Sequence, residues 1–258
     1  MEVHPTAIVS PRAALGKGIS IGPYAIVGDD VTLGEDCRVD AHAVIQGRAW
    51  IGSHCRFFPY SSIGLPPQDL KYKGEDTELV IGDHNVFREY VTINRGTVQG
   101  GGSTQIGDHN FFMVYSHVAH DCVLGNHIIM ANAATLAGHV IIEDYATIGA
   151  FSGVHQFCRV GVHGFVGGYS VITKDVLPYS KTVSARDARN YGVNTIGLER
   201  RGFSAESIRA IRAAYRLILQ SKLNTSQALP VLKERFVGQP DVQVLIDFIE
   251  KSQRGIIK

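Results

Sequence analysis

The stretch IGPYAIVGDDVTLGEDCRV, residues 21–39, repeats itself every six residues. Ile21, Val27, Leu33 and Val39 are aliphatic anchors, and Gly22, Gly28 and Gly34 follow three of them. Four residues after each anchor stands a second small or apolar residue: Ala25, Val31, Cys37, Ala43. The pattern reaches back through Leu15 and Val9 to Val3, and forward through Ile45, Ile51 and Phe57 to Ile63. It resumes at Ile81, Phe87 and Ile93, and again from Ile106 in unbroken steps of six to Ile172. A helix repeats every 3.6 residues and an ordinary strand every two, so neither produces this period. Period six with an apolar anchor and a glycine marks a parallel β-helix. Each hexad supplies a short strand and a corner, and the anchor points into the core, where it stacks on its counterparts. Glycine or asparagine is expected at the corners, to relieve backbone strain there.

The repeat resembles the left-handed hexapeptide-repeat family over roughly residues 1–180. That likeness implies three hexads, 18 residues, per coil. The fold class expected is therefore mainly β, a left-handed parallel β-helix over 1–187, followed by a small C-terminal α-helical domain over 188–258. Two interruptions, LPPQDLKYKGEDTELV (65–80) and TVQGGGSTQ (97–105), read as loops extruded from corners, and such loops commonly carry binding groups. Beyond Pro178 the period changes. SAESIRAIRAAYRLILQ places Ile208, Ile211, Tyr215 and Ile218 on one helical face behind the N-cap candidate Ser204. A second helix is expected from Thr225 to Phe236, with Pro230 a distortion or boundary, and a third at DVQVLIDFIEKSQ. The helical tail is expected to cover one end of the solenoid and its strand edge.

The bulk composition narrows the function classes. A formal net charge of +1 over 258 residues gives no global electrostatic case for nucleic acid or an anionic membrane. No signal peptide is visible at MEVHPTAIVS, and no apolar run approaches the ~20 residues that span a bilayer. A soluble cytoplasmic protein without stable membrane insertion is expected. Cys37, Cys55, Cys122 and Cys158 all occupy the second inward position of a hexad and lack CxxC spacing. They read as core fillers rather than disulfides or metal ligands.

The same register gathers the histidines. Residues 18 apart lie above one another at about 4.8 Å, so His120, Gly138 and Gln156 share a column, Asp121 and His139 share the next, and His155 precedes Gln156. With His117, they crowd one edge over three coils. Val118 and Cys122 point inward, so His120 projects outward. A lone outward histidine is ordinarily a solvated surface residue; a histidine beside its own aspartate and beneath a glycine suits acyl transfer. A neutral imidazole, with a reference pKa of about 6.5, accepts a hydroxyl proton as that oxygen attacks. Asp121 would orient the ring, and the Gly138 N–H would receive the developing oxyanion. His109, His127 and His163 share another register with Tyr145, without a carboxylate and glycine, and read as a structural ladder. IGDHN occurs at 81–85 and 106–110, which suggests turn chemistry for His84 and His109.

Longer motifs carry a closer likeness. QDLKYKGE (68–75), INRGT (93–97), HVAHDC (117–122), LAGHV (136–140), VHQFC (154–158) and GLERRGFS (197–204) occur in the order found in the UDP-N-acetylglucosamine O-acyltransferase family of lipid A biosynthesis. The resemblance covers essentially the whole chain. It implies a homotrimer with active sites between neighbouring solenoids, moving a 3-hydroxyacyl group from acyl carrier protein to the sugar 3-hydroxyl of UDP-N-acetylglucosamine, without cofactor or metal. Carried over by residue, it implies His120 as general base, Asp121 as its partner and Gly138 as oxyanion donor. His117, His139, His155 and Gln156 would line the sugar and thioester site, and Asp69 and Lys71 would contact sugar and phosphate. Asn194, Arg200 and Arg201 would lie on the nucleotide side, where the arginines equally suit an acidic carrier protein. At Gly168, where the family limits acyl length, nothing bulky stands, which implies a longer chain. The chain departs from the family at SARDARNYG (184–192), Ile196 and Asn94. Three other readings compete. They are another acyl transfer on this scaffold (the related N-acyltransferase, or this same transfer to a 3-amino UDP-sugar), a hexapeptide-repeat carbonic anhydrase holding zinc through His117, His139 and a neighbouring subunit's histidine, and a purely structural solenoid.

Overall fold

The computed structural model describes residues 1–183, 192–251 and 256, in two compact units, Met1–Ser184 and Ala185–Lys258. In the first unit, short strands build three parallel sheets of ten, nine and eight strands. Phe111 pairs with Ile129 and Ile129 with Thr147, so 18 residues carry the chain once around. This is the left-handed parallel β-helix expected from the repeat. Every anchor from Ile21 to Ile172 is at most 6% exposed. Phe57, Phe87 and Phe112 stack down the axis with centroids 5.0 and 4.8 Å apart. Val3 is 41% exposed, because its strand lies at the end of its sheet.

The corners differ from expectation. Their left-handed positions are held by Tyr24 (φ 57°), His109 (φ 57°), Asp121 (φ 60°), His139 (φ 61°) and their counterparts, not by a glycine column. Such backbone costs a non-glycine residue roughly 1–2 kcal/mol, and stacking offsets it. The rings of His54, His84, His109, His127, Tyr145 and His163 form one continuous pile with centroids 4.6–4.9 Å apart. The ladder expected at 109, 127, 145 and 163 is therefore real, and longer. Glycine after the anchor serves close approach instead: a Cβ on Gly34 would lie 2.6 Å from the Gly52 backbone. The IGDHN motifs do turn chemistry. Asp83 accepts the Ser53 N–H at 2.6 Å, and Asp108 accepts the Asp83 N–H at 2.7 Å.

All four cysteines are buried free thiols, as read from their register. The Cys122 S–H donates to the Ala137 carbonyl, 3.2 Å away, and burial pushes its pKa up to about 12. All four thiols are enclosed in the core, out of reach of reagent, so native protein at pH 7.5 is expected to resist iodoacetamide at all four sites. Unfolding in denaturant exposes all four. Mass spectrometry of alkylated samples checks this, and rapid native labelling of Cys122 would contradict it.

The two insertions are narrower than the sequence suggests. Glu78–Ile81 pairs along its whole length with Arg48–Ile51 and with Ser103–Ile106. The extruded segments are thus residues 66–77 and 97–102. Across them, vertical partners lie 30 residues apart (Arg56 and Val86) and 25 apart (Val86 and Phe111).

The second unit holds α1 (Thr195–Arg200), α2 (Ala205–Gln220), α3 (Thr225–Arg235) and α4 (Pro240–Lys251). Ser204 caps α2 as expected, its hydroxyl accepting the Ser207 N–H at 3.0 Å. Pro230 neither ends nor bounds α3. Its missing N–H would have bonded the Ser226 carbonyl, and both residues lie on the exposed side of the helix. Ala214, Ile218, Leu232, Val242, Ile246 and Ile249 form the core of the unit. The expected domain boundary at 187/188 and all of the unusual 184–192 loop except Gly192 lie outside the described residues. Among the described residues no helix is long and apolar enough to cross a membrane.

Candidate active site

His117 opens the strand His117–Val118 of the nine-stranded sheet, and the chain then turns the corner at His120 and Asp121. Val118 and Cys122 fill the core on either side, which forces the imidazole of His120 outward. Its side chain remains only 14% exposed. His120 Nδ1 lies 2.7 Å from Asp121 Oδ2. The ionised carboxylate can only accept, so Nδ1 carries the proton and Nε2 holds a free lone pair. Nε2 has no hydrogen-bond partner among the described residues.

One coil above, Gly138 covers the ring face. A Cβ there would stand 2.6 Å from Cε1 and 2.9 Å from Nε2 of His120. The His139 N–H donates to the His120 carbonyl at 3.1 Å, which locks the two corners together. The Gly138 N–H has no partner among the described residues. The ring of His139 meets that of His120 edge to face at 5.3 Å and stacks on Phe157 at 4.6 Å. Gln156 stands above Gly138, where the Phe157 N–H donates to the Gly138 carbonyl, and His155 and Gln156 are exposed. Burial, and then the charge of His120, lower the pKa of His117 below its ordinary 6.5. His117 is therefore neutral at pH 7, and its Nδ1 pairs with Thr92 Oγ1 at 2.7 Å.

The structure thus brings together His117, His120, Asp121, Gly138, His139, His155 and Gln156. It leaves Asp69 and Lys71 apart: Asp69 accepts the Lys71 N–H at 2.9 Å within the first loop, and among the described residues no hydrogen bond or ion pair joins either to the His120 group. Asn94 is 5% exposed and donates to the Pro66 carbonyl at 2.9 Å, anchoring that loop. Asn194 caps α1 by accepting the Gly197 N–H at 3.2 Å. Arg200 ends α1, Arg201 follows it, and both are exposed within the second unit. Gly168 is also exposed, and a Cβ there would meet only the Ala150 backbone, 3.2 Å away at its nearest.

Sequence reasoning missed three threonines. Thr92 faces His117. The Asp121 N–H donates to Thr104 Oγ1 at 2.8 Å, which fixes the left-handed corner. Thr97 donates its N–H to Asp121 Oδ1 at 2.7 Å and its hydroxyl to Oδ2 at 2.6 Å. Realigning the hexads on Ile81 and Ile106, instead of stepping by 18, would have placed Thr92 beneath His117.

His120, Asp121 and His139 are the one group of three potential metal ligands among the described residues, with Asp121 Oδ2 as the shared atom. That oxygen already accepts from both Thr97 and His120. Its lone pairs are committed, and the 2.7 Å His–Asp contact is closer than two ligands at about 2.0–2.1 Å from one tetrahedral zinc. The donor set fits a base and its orienting carboxylate better than a metal.

Residues 175–257 match the family described as UDP-N-acetylglucosamine O-acyltransferase, domain 2. An acyl-(acyl-carrier-protein)–UDP-N-acetylglucosamine O-acyltransferase from Halorhodospira halophila is 50% identical over 257 residues, covering 100% of this chain and 99% of that one. The corresponding protein from Alkalilimnicola ehrlichii is 52% identical at the same coverage. Among solved structures, LpxA from Acinetobacter baumannii is 42% identical with a TM-score of 0.71, and the UDP-N-acetylglucosamine O-acyltransferase from Moraxella catarrhalis is 43% identical with a TM-score of 0.70. Each covers 100% of both chains. Aligned from end to end with such relatives in both sequence and structure, the chain belongs to the UDP-N-acetylglucosamine O-acyltransferase family.

Proposed function

We propose that this protein transfers a 3-hydroxyacyl group from acyl carrier protein to the 3-hydroxyl of UDP-N-acetylglucosamine, the first step of lipid A biosynthesis. The observation that carries the reaction's mechanism is the His120–Asp121 contact of 2.7 Å beneath the bare backbone of Gly138. His120 Nε2 takes the proton of the sugar hydroxyl as its oxygen attacks the thioester carbonyl carbon. Asp121 holds the tautomer and stabilises the imidazolium. The carbonyl oxygen becomes the oxyanion, received by the Gly138 N–H. Collapse breaks the C–S bond, and the imidazolium returns its proton to the departing thiolate. The products are the acyl ester and the free carrier thiol, and no cofactor enters the balance.

In this reading His117, His139, His155 and Gln156 line the sugar and thioester site. Asp69 and Lys71 reach sugar and phosphate from the first loop, with lysine a suitable point charge for a diphosphate. Asn194, Arg200 and Arg201 serve the nucleotide side. A homotrimer supplies the facing wall of each site. In its favour, Trp50 and Val80, and beyond Gln105 Val123 and Ile141, stand partly exposed in one column of the eight-stranded sheet.

Incubating purified protein with 3-hydroxyacyl carrier protein and UDP-N-acetylglucosamine is expected to yield the O-acyl sugar nucleotide. Absence of that product, with turnover of the 3-amino sugar nucleotide alone, would replace the hydroxyl acceptor by the amine. The open position at Gly168 makes a second expectation. The wild type prefers longer acyl chains, and Gly168→Met shifts preference toward shorter ones by at least ~10-fold in relative kcat/KM, as filling a hydrophobic pocket by a few methylenes would do. A wild type that favours the shortest thioester would contradict it.

A further inference from the structure

The second extruded loop, residues 97–102, has no role in the reaction as written so far, yet it is built against the buried carboxylate of the catalytic pair. Asp121 has a side chain of 0% exposure, and Thr97 is 1% exposed. One residue supplies a donor to each carboxylate oxygen: the Thr97 N–H to Oδ1 at 2.7 Å and its hydroxyl to Oδ2 at 2.6 Å. The direction of that hydroxyl is itself determined. Thr97 Oγ1 accepts the Gly100 N–H at 3.2 Å, so its own proton is left for Asp121. The loop is closed beneath this contact by the Gly102 N–H on the Thr97 carbonyl and the Glu78 N–H on the Gly102 carbonyl, both at 2.8 Å. Gly100 finishes the enclosure: a Cβ there would stand 2.0–2.3 Å from the carboxylate atoms of Asp121.

Two donors from one rigid residue fix the plane of a carboxylate, because rotating it would break both bonds. With that plane fixed, Oδ2 is aimed at His120 Nδ1, and the tautomer with a free Nε2 follows. We infer that Thr97, held by the 97–102 loop, is a positioning residue for catalysis, forming a Thr97–Asp121–His120 chain in which the threonine orients the aspartate and the aspartate orients the base. The inference rests on the acyl-transfer reading above. Thr97 is buried and acts through Asp121. Its effect is on the aim of Nε2 at the attacking hydroxyl, so it belongs to kcat rather than to substrate affinity.

The test compares Thr97→Val, which keeps the shape and the N–H but removes the hydroxyl, with Thr97→Ser, which keeps both donors. Activity is measured from pH 5.5 to 9 with 3-hydroxyacyl carrier protein and UDP-N-acetylglucosamine. Thr97→Val is expected to lower kcat about 10-fold, the scale of a lost hydrogen bond to a charge, with KM for both substrates within about twofold. Without the hydroxyl donor on Oδ2 more of the carboxylate charge falls on His120, which favours the imidazolium, so the acid limb of kcat/KM moves to higher pH; the Thr97 N–H stays on Oδ1 and His139 Nε2 stays 3.7 Å from Oδ2. The other titratable groups against the pair are His139, on the coil above, and His117, three residues back. Both are unaltered in these variants. Thr97→Ser is expected to restore both kcat and the limb. Gly100→Ala, which drives the loop off the carboxylate, is expected to reproduce the Thr97→Val profile. Wild-type kcat and acid limb in Thr97→Val would overturn the inference, as would Thr97→Ser being impaired as deeply as Thr97→Val. A wild-type protein without transfer activity would refute the proposed function instead.

Discussion

His120→Ala loses at least ~100-fold in kcat for acyl transfer while circular dichroism and the unfolding midpoint stay near those of the parent. The magnitude is the usual contribution of a positioned general base. The fold survives because His120 projects from a corner, and the buried anchors on either side, Val118 and Cys122, are untouched. Removing the ring leaves the ionised Asp121 still bonded to Thr97, so no buried charge is stranded without donors. The purely structural reading of the solenoid requires an unchanged rate. A variant retaining more than about a tenth of parental kcat would remove His120 from the role of base.

Gly138→Ala is expected to cost about 100-fold in kcat with little loss of stability. The added methyl carbon would lie within 2.6–3.1 Å of three atoms of the imidazole of His120. The ring cannot retreat freely, since Asp121 holds Nδ1 and His139 stands against its edge. It must break the Nδ1 bond or tilt Nε2 away from the acceptor hydroxyl, and a misplacement of about 1 Å is enough for a loss of this size. The backbone of Gly138 lies outside the left-handed region, so alanine carries no conformational penalty there. Because both changes disable one unit, the double variant His120→Ala, Gly138→Ala should be scarcely slower than His120→Ala alone. Full activity in Gly138→Ala would mean that the ring has room the structure does not show, and multiplicative losses would mean that the two residues act separately.

Much of this site was legible before any coordinates. The column of His120, Gly138 and Gln156, the neighbouring column of Asp121 and His139, and the ladder through His109 and His127 all follow from counting in eighteens. Counting works there because those coils contain no insertion. It fails between residues 63 and 106, where 30- and 25-residue coils shift the register and hide the places of Thr92, Thr97 and Thr104. The loop limits are hidden in the sequence for a related reason. Glu78 and Ser103 look like polar loop residues, and only the ladder through Arg48–Ile51 recruits them into strands.

By itself the sequence determined the β-helix and the catalytic column, since a six-residue apolar period has one way to bury its anchors, and stacking coils then decide what lies over what. Tertiary structure alone decided how the base is held. An insertion has no period, so its length does not say where its ends return; the folded chain returned residues 97–102 onto the carboxylate of Asp121. It also decided that histidine and tyrosine, rather than glycine, occupy the left-handed corners, because the compensating ring stacks exist only between coils.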